Sequence, residues 1–105
     1  MTPKQKLAIR NLSYQLIKNE RIETSVVRAK EIKKRVERLI SRARKDTVSR
    51  RRYAAKYLPK DGVKILFSRI GPANADRNGG YTRLIRTGTR KGDGRQQCIL
   101  EIIDV

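Results

Sequence analysis

The sequence has no histidine, no tryptophan, a single cysteine and only five tyrosine and phenylalanine residues among its 105 residues. Without histidine, the chain lacks the side chain most often used for acid–base catalysis near neutral pH and the commonest imidazole metal ligand. Cys98 cannot form an internal disulfide, and it belongs to no metal-binding cysteine motif. Because it lies in the apolar run Cys98-Ile99-Leu100, we expect a buried structural thiol. These absences argue against most hydrolases and against zinc proteins.

Signals for membrane insertion, secretion and small-molecule chemistry are also missing. No apolar stretch approaches the roughly 18 residues that span a bilayer, and no secretory signal pattern is present. Walker A, dinucleotide-binding and GxSxG motifs are absent, and Gly92-Asp93-Gly94 is more typical of a turn. Glu20 and Glu23, the closest acidic pair, would point to opposite faces of a strand. We therefore expect a soluble, non-secreted protein with no catalytic residues, cofactor, metal or small-molecule substrate.

Positive charge is what the chain has in excess, with 27 Lys and Arg against 10 Asp and Glu, a net charge of +17 and a pI near 11.0. Residues 1–60 contain 19 basic and 5 acidic residues, whereas residues 61–105 contain 8 and 5. A charge of this size repels itself unless a polyanion neutralises it. We therefore expect a permanent anionic partner. Nucleic acid is the first candidate, an acidic membrane the second and an acidic protein the third.

Hydrophobic residues suffice for one modest core, because Ile, Leu, Val and Phe form about a quarter of the chain. Their spacing predicts amphipathic helices over residues 3–18 and 26–45, with a short strand at 21–24 between them. Thr24 or Ser25 is expected to cap the second of these helices. The first begins with the capping pattern Thr2-Pro3-Lys4-Gln5.

The second half of the chain predicts two shorter helices and a hairpin. One helix follows Asp46 or Thr47 and ends at Leu58-Pro59. Asp61 is expected to cap the next helix, and Gly71, in a left-handed C-cap conformation, to end it before Pro72. Strands at 81–89 and 97–105, joined by the loop 90–94, form a C-terminal hairpin, with the last strand central or covered by helices. The predicted fold is a two-layer α+β single domain over residues 1–105, with about four helices packed on a small sheet.

The helix at 26–45 carries much of the basic surface. Nine Lys and Arg lie outside its apolar stripe, against only Glu31 and Glu37, so contact with a polyanion is favoured over a merely solvated face. Arg50-Arg51-Arg52 would point in three directions, because successive helical residues turn by about 100°. No aromatic pair forms an exposed platform for base stacking, which favours recognition of the phosphates and shape of folded RNA. Tyr53 and Tyr57, beside the Arg run, are candidates for sugar or phosphate contact.

Five segments resemble bacterial ribosomal protein seventeen of the large subunit, in order and over nearly the whole chain. The resemblance implies helices on a mixed three-stranded sheet and binding to large-subunit ribosomal RNA near the exit of the peptide tunnel. It also implies neighbouring tunnel-exit ribosomal proteins and no enzymatic activity. The segments are Arg10-Asn11-Leu12 with Leu16-Ile17, Glu20-Arg21-Ile22-Glu23-Thr24 with Ala29-Lys30-Glu31, Lys64-Ile65-Leu66-Phe67, Gly79-Gly80-Tyr81-Thr82-Arg83, and Gly92-Asp93 before a closing apolar strand.

Members of this family usually carry a basic, histidine-containing arm before the first helix. Here Met1 lies almost at the helix cap, so either the chain is naturally short or the arm is missing from this sequence. We therefore expect the helices and the hairpin to provide the RNA contacts. The expected protein works in the large subunit of a cytoplasmic or organellar ribosome, without self-association and without a membrane partner. The residues expected to bind RNA are Arg10, Lys18, Lys30, Lys33, Lys34, Arg38, Arg42, Arg44, Lys45, Arg50, Arg51, Arg52, Arg77, Arg83, Arg86, Arg90 and Lys91.

Two other functions are weighed against this hypothesis. An architectural DNA-binding protein is the alternative, because the same basic helices could follow duplex phosphates, although no recognition-helix pattern is evident. A magnesium-dependent nuclease is the third and least favoured, because Asp93 has no second carboxylate nearby in the sequence to share a metal ion.

Overall fold

The computed structural model of the chain describes residues 3–89, 92 and 94–103. The expected cap Thr2 and the expected loop residues Arg90, Lys91 and Asp93 lie outside these described residues. A helical first part leads into a hairpin. The elements are α1 (Pro3–Asn19), β1 (Arg21–Ser25), α2 (Val26–Ala43), α3 (Val48–Ala55), α4 (Lys60–Ile65), a π-helix (Leu66–Ile70), α5 (Gly71–Ala73), β2 (Thr82–Thr89) and β3 (Gln96–Ile102).

The three strands form one sheet in the order β1-β3-β2, which confirms the C-terminal hairpin and the central position of the last strand. Both pairings are antiparallel: Thr24 pairs with Cys98, and Leu84 pairs with Leu100. The expected mixed sheet is therefore wrong. The reason is the direction of β1, which runs antiparallel to the central strand β3. The two strands are far apart in the sequence, so local patterns do not reveal this direction. A β-bulge at Thr87 interrupts the register of β2.

Helix α2 occupies the centre of the fold. It contacts α1, α3, α5, the π-helix and all three strands. The side chains of Ile32, Val36 and Ile40 are fully buried on its apolar stripe. Each such buried side chain contributes about 1.5–3 kcal/mol through removal of apolar surface from water. The stripe predicted from the spacing is thus the contact surface around which the other elements assemble.

Hydroxyl caps define where the two central helices begin. Ser25 caps α2, since its Oγ accepts a hydrogen bond from the backbone N–H of Arg28 at 3.4 Å. Thr47 caps α3, with its Oγ1 accepting from the N–H of Arg50 at 3.2 Å. The sequence had left two candidates for each cap, Thr24 or Ser25 for α2 and Asp46 or Thr47 for α3, and in both cases the second residue is the cap. Helix α1 ends one residue later than predicted, and Glu20 then turns the chain with a φ of 72°.

The segment after Pro59 differs from the prediction at both ends. Asp61 is not the N-cap, because Pro59 holds that position without a side-chain cap; the Asp61 carboxylate instead accepts a hydrogen bond from the Tyr14 hydroxyl at 2.6 Å. Gly71 has a right-handed helical conformation, with φ of −58°, and the helical path continues through it. Pro72 fits there because it lies in the first turn of α5, where its missing N–H needs no partner.

Gly71 is required for packing and not for a left-handed turn. A Cβ atom placed on it would overlap the carbonyl oxygen of Ala43, at the end of α2. The absence of a side chain therefore allows the π-helix and α5 to lie directly against α2. Glycine followed by proline is typical of a helix end, so the sequence alone does not reveal that Gly71 is needed for packing against Ala43.

Replacing Gly71 with Ala should destabilise the fold by about 2 kcal/mol, because the added methyl forces two backbones apart. Urea unfolding followed by circular dichroism measures the change. Ser68→Ala, at an exposed position in the same helical stretch, is the control and should change the stability by less than about 0.5 kcal/mol. Equal stability of the Gly71→Ala variant and the parent would contradict the close packing described above.

Cys98 is completely buried between Val26 and Ala29 of α2 and the sheet. This burial raises the pKa of the Cys98 thiol, and the nearby positive charge of Arg86 offsets only part of the effect. The reactive thiolate is therefore disfavoured in the folded protein. The prediction that Cys98 is a buried structural residue is confirmed.

Iodoacetamide should therefore label Cys98 rapidly in denaturing urea and far more slowly in native buffer. Mass spectrometry of the intact protein measures the labelled fraction over time. The same chain in urea supplies the control for intrinsic reactivity. Comparable rates under both conditions would mean that the thiol is accessible in the folded state.

Candidate nucleic-acid interface

The charged side chains of α2 fall on three sides of the helix. With 3.6 residues per turn, the buried stripe leaves two flanks and an outer ridge that points away from the core. One flank faces β2 and the loop before it, the other faces α3, and the ridge faces solvent. These three sides have different partners, so the seven bases of α2 and the two that follow it do not form one uniform surface.

The flank of α2 that faces β2 holds the start of that strand. The Glu37 carboxylate accepts hydrogen bonds from the backbone N–H groups of Tyr81 (3.0 Å) and Thr82 (3.2 Å), and from the Thr82 hydroxyl (2.9 Å). Lys33 Nζ donates to the Thr82 carbonyl at 2.9 Å and lies 3.6 Å from Glu37. Lys33 was expected to bind RNA, and the structure gives it this internal role.

Arg44, at the end of the same flank, holds the loop that leads into β2. Its guanidinium donates to the Ala75 carbonyl at 3.1 and 3.2 Å, to Asn78 Oδ1 at 3.3 Å and to the Tyr81 hydroxyl at 3.3 Å. The Tyr81 hydroxyl in turn donates to the Arg77 carbonyl at 2.9 Å. The guanidinium of Arg44 is therefore engaged in ordering this loop.

The flank of α2 that faces α3 stacks arginine on tyrosine. The Arg42 guanidinium lies 4.0 Å from the centre of the Tyr53 ring, and that of Arg35 lies 4.8 Å from the centre of the Tyr57 ring. The two rings are 5.3 Å apart and inclined by 59°. Arg35 was not among the predicted site residues. The signal that identifies it is its spacing of seven from Arg28 and Arg42, which places all three on one side of the helix.

The outer ridge of α2 consists of Lys30, Lys34, Arg38 and Ser41, all exposed. Within the described part of the chain, Lys30 and Arg38 form no hydrogen bond or ion pair. Lys34 has a single weak contact, with its Nζ 3.8 Å from Glu31 and its side chain 72% exposed. The ridge thus presents cations that the fold itself leaves largely unneutralised.

The Arg50-Arg51-Arg52 run in α3 points in three directions, as predicted. Arg50 donates to the backbone carbonyl of Arg42 at 3.1 Å. Arg51 makes two hydrogen bonds to the Asp46 carboxylate, at 2.6 and 2.7 Å, which holds the pKa of that carboxyl below its usual range. Arg52 is exposed and, among the described residues, contacts no acceptor. The run therefore supplies one available cation instead of three.

The hairpin adds a second basic region beside the start of α2. Arg86 donates to Gln96 Oε1 at 2.8 Å. Arg28 and Lys30 of α2 face Arg86 and Arg95 of the hairpin across an open groove of about 970 Å³. Arg83 lies on the opposite face of the sheet, where its Nε donates to Glu101 at 2.8 Å. The groove adjoins the outer ridge through Lys30.

The remaining expected site residues are dispersed. Arg10 and Lys18 lie exposed on α1, with Lys18 5.8 Å from the centre of the Tyr14 ring. Lys45 follows the end of α2, and Arg77 lies half-buried in the loop before β2. Arg90 and Lys91 lie outside the described residues. The structure therefore brings together Lys30, Lys34, Arg38 and Arg86, and it assigns other contacts to Lys33, Arg42, Arg44, Arg50, Arg51 and Arg83.

No described helix is both long enough and apolar enough to cross a bilayer. Within residues 3–89, 92 and 94–103, no three Cys, Asp or Glu side chains form a group that could hold a metal ion. Fold and surface together define a class: a small, strongly basic α+β protein with a cationic helix face suited to a polyanion.

Comparison with known proteins identifies the family within this class. A family model described as "Ribosomal protein L17" matches residues 8–103. The chain is 48% identical over 97 residues to "Large ribosomal subunit protein bL17" of Finegoldia magna, covering 91% of this chain and 74% of that protein. The protein of the same name from Treponema denticola is 49% identical over 96 residues, or 90% of this chain and 54% of that protein. The protein of the same name from Fusobacterium nucleatum is 45% identical over 100 residues, or 94% of this chain and 86% of that protein.

The chain belongs to the ribosomal protein L17 family. The resemblance drawn from the sequence segments is thereby confirmed. This family consists of structural proteins and not of enzymes, which confirms the expectation of no catalytic activity. The magnesium-dependent nuclease hypothesis is set aside on this ground.

Glu37→Gln should lower the free energy of unfolding by about 2 kcal/mol, because an amide replaces a charged acceptor of three hydrogen bonds. The Glu37 side chain is only 22% exposed, so water cannot readily replace it. Urea unfolding at fixed salt measures the change.

Glu31→Gln on the exposed side of the same helix removes the same charge and is the matched control. It should cost less than about 0.5 kcal/mol, since its one ion pair is long and solvated. Similar losses of stability in the two variants would mean that the effect comes from net charge and not from the hydrogen bonds of Glu37 to the start of β2.

Proposed function

We propose that this protein is a structural constituent of the large ribosomal subunit in the bacterial cytoplasm, where it binds ribosomal RNA through α2 and the adjoining groove. The observation that carries the proposal is the outer ridge of α2, where Lys30, Lys34 and Arg38 extend from the fold without strong internal partners. Family membership supplies the context, since the relatives are named as large-subunit proteins.

The distribution of the acids supports a permanent anionic partner. Glu37, Asp46 and Glu101 are each paired with a cation outside the ridge, so they do not offset the charge of the ridge. A ridge of Lys and Arg along one helix can follow a phosphate backbone, and Arg forks can bind phosphate oxygens in pairs. Neutralisation by RNA would remove the self-repulsion of a chain with a charge of +17.

We further propose that the protein acts as a monomer near the exit of the peptide tunnel, beside other ribosomal proteins. The sheet face turned away from α2 suits a protein neighbour better than RNA. In it, Arg21 and Arg83 flank Glu101 in register, and Ile85 lies opposite Ile99. Ile85 is 41% exposed, so this nearly neutral face leaves an apolar side chain uncovered.

Sedimentation tests the assignment to the ribosome. An epitope-tagged copy expressed in its own host is followed through a gradient of cell extract with magnesium, at moderate and then at high salt. Migration with the large subunit under both conditions is the expected result. Migration with chromosomal DNA would instead favour the architectural DNA-binding alternative, and failure to join the large subunit at moderate salt would reject the proposal.

The ridge variant Lys30→Ala/Lys34→Ala/Arg38→Ala should bind large-subunit ribosomal RNA more weakly and with a smaller salt dependence. Each lost phosphate contact lowers the slope of log affinity against log salt by about 0.7–0.9, so the slope should fall by about 2 to 3. Filter binding to the transcribed RNA over a series of salt concentrations measures it.

Lys56→Ala/Lys60→Ala/Lys64→Ala is the matched control, because it removes three exposed charges from another part of the surface. Its slope should stay close to that of the parent. Equal slopes for the two triple variants would mean that the ridge has no special role and that affinity follows net charge alone.

A further inference from the structure

A small cavity of about 220 Å³ lies where α1, α2 and α3 meet. Its walls come from Ile9 on α1, from Lys34, Arg35 and Arg38 on α2, and from Tyr53 and Tyr57 at α3 and the turn after it. The volume is below the roughly 300–1,000 Å³ typical of pockets for drug-sized ligands. The cavity is therefore suited to one small group.

The rings of the aromatic wall are held by contacts with α2. Both tyrosines are half-buried, and each ring is covered by a guanidinium of α2: Tyr57 by Arg35 and Tyr53 by Arg42. Cation–π contacts of this kind restrict the rings before any ligand arrives. A restricted aromatic surface loses little conformational entropy when a flat group stacks on it.

The floor and the mouth of the cavity differ in polarity. Ile9 and Leu39 form an apolar floor, with only 5% and 1% of their surface exposed. The mouth opens onto the outer ridge, where Lys34 and Arg38 are exposed. Glu31 also lines the cavity and offers an acceptor for an amino group of a base. Apolar floor, aromatic wall and cationic mouth match a nucleotide, with its flat base and its phosphate.

We propose that this cavity binds one unpaired nucleotide of the RNA, with its base against Tyr53 and Tyr57 and its phosphate at Lys34 and Arg38. Proteins read single-stranded loops and bulges through unstacked bases on aromatic and arginine surfaces, whereas paired bases are not available for such contact. An acidic protein side chain would use the cations but would leave the aromatic wall without a partner. The inference deepens the proposed function and depends on it.

Two labelled oligonucleotides of equal charge separate base binding from phosphate binding. One is a decamer of cytidylate, and the other is an abasic ribose-phosphate decamer of the same length. Fluorescence anisotropy with the full chain should show tighter binding of the cytidylate decamer. Tyr57→Leu and, independently, Tyr53→Leu should each weaken that binding roughly ten-fold, within the range of base–aromatic stacking, and leave the abasic decamer unaffected.

Two control variants test whether the aromatic ring in the cavity is responsible for the preference. Tyr57→Phe keeps the ring and should keep the preference for bases. Tyr14→Leu removes a tyrosine outside the cavity, whose hydroxyl is bound to Asp61, and should also keep it. Circular dichroism and the unfolding midpoint establish that each variant is folded. If one of the two variants Tyr53→Leu and Tyr57→Leu does not fold, the other is sufficient for the test.

Three outcomes would overturn the nucleotide cavity: equal affinity of the parent for both decamers, a preference that survives in the folded tyrosine-to-leucine variants, or an equal loss in Tyr14→Leu. Failure of the underlying function is recognised separately, because the ridge variant would then bind ribosomal RNA with an unchanged salt slope. A normal ridge effect without base preference would retain RNA binding and reject only the cavity.

Discussion

Burial of the apolar stripe of α2 is the contact on which the remainder of the structure depends. Ile32, Val36 and Ile40 have no exposed surface, and they meet α1, the π-helix and the sheet around them. Because a helix with its core side buried can present charge only on its remaining sides, this burial also determines where the basic surface lies. Fold and candidate interface are therefore two consequences of one amphipathic helix.

A chain with this excess of positive charge uses its few acids as internal connectors. Glu20 lies 3.2 Å from Arg69, Glu37 holds the start of β2, and Asp46 fixes Arg51. Exposed ion pairs contribute little individually, so the importance of these contacts lies in which cations they engage. Among the cations without a strong acidic partner, Lys30, Lys34 and Arg38 line up along the outer ridge of α2, where a phosphate backbone can reach them.

Most of the secondary structure follows from local spacing, and the exceptions have local causes. The helices at the start of the chain and the hairpin are evident from periodicity and turn residues, and the sequence narrows each of the caps Ser25 and Thr47 to two neighbouring candidates. Gly71 was misinterpreted because a glycine before a proline is typical of a helix end, whereas here the missing side chain admits the backbone of Ala43. The mixed sheet was wrong because strand direction depends on which distant strand β1 joins.

The sequence by itself determined the excess of positive charge, the amphipathic pattern of α2, the absence of histidine chemistry and the family to which the chain belongs. Only the tertiary structure decided which cations stay available. Lys33 lies on the same helix as Lys34 and Arg38, and Arg44 caps its C-terminal end, yet Lys33 and Arg44 hold the loop and strand of a distant segment. It also brought Tyr53 and Tyr57 to the arginines of α2. The reason is physical: charge and periodicity are properties of neighbouring residues, whereas engagement of a side chain depends on which remote groups packing places within hydrogen-bond distance.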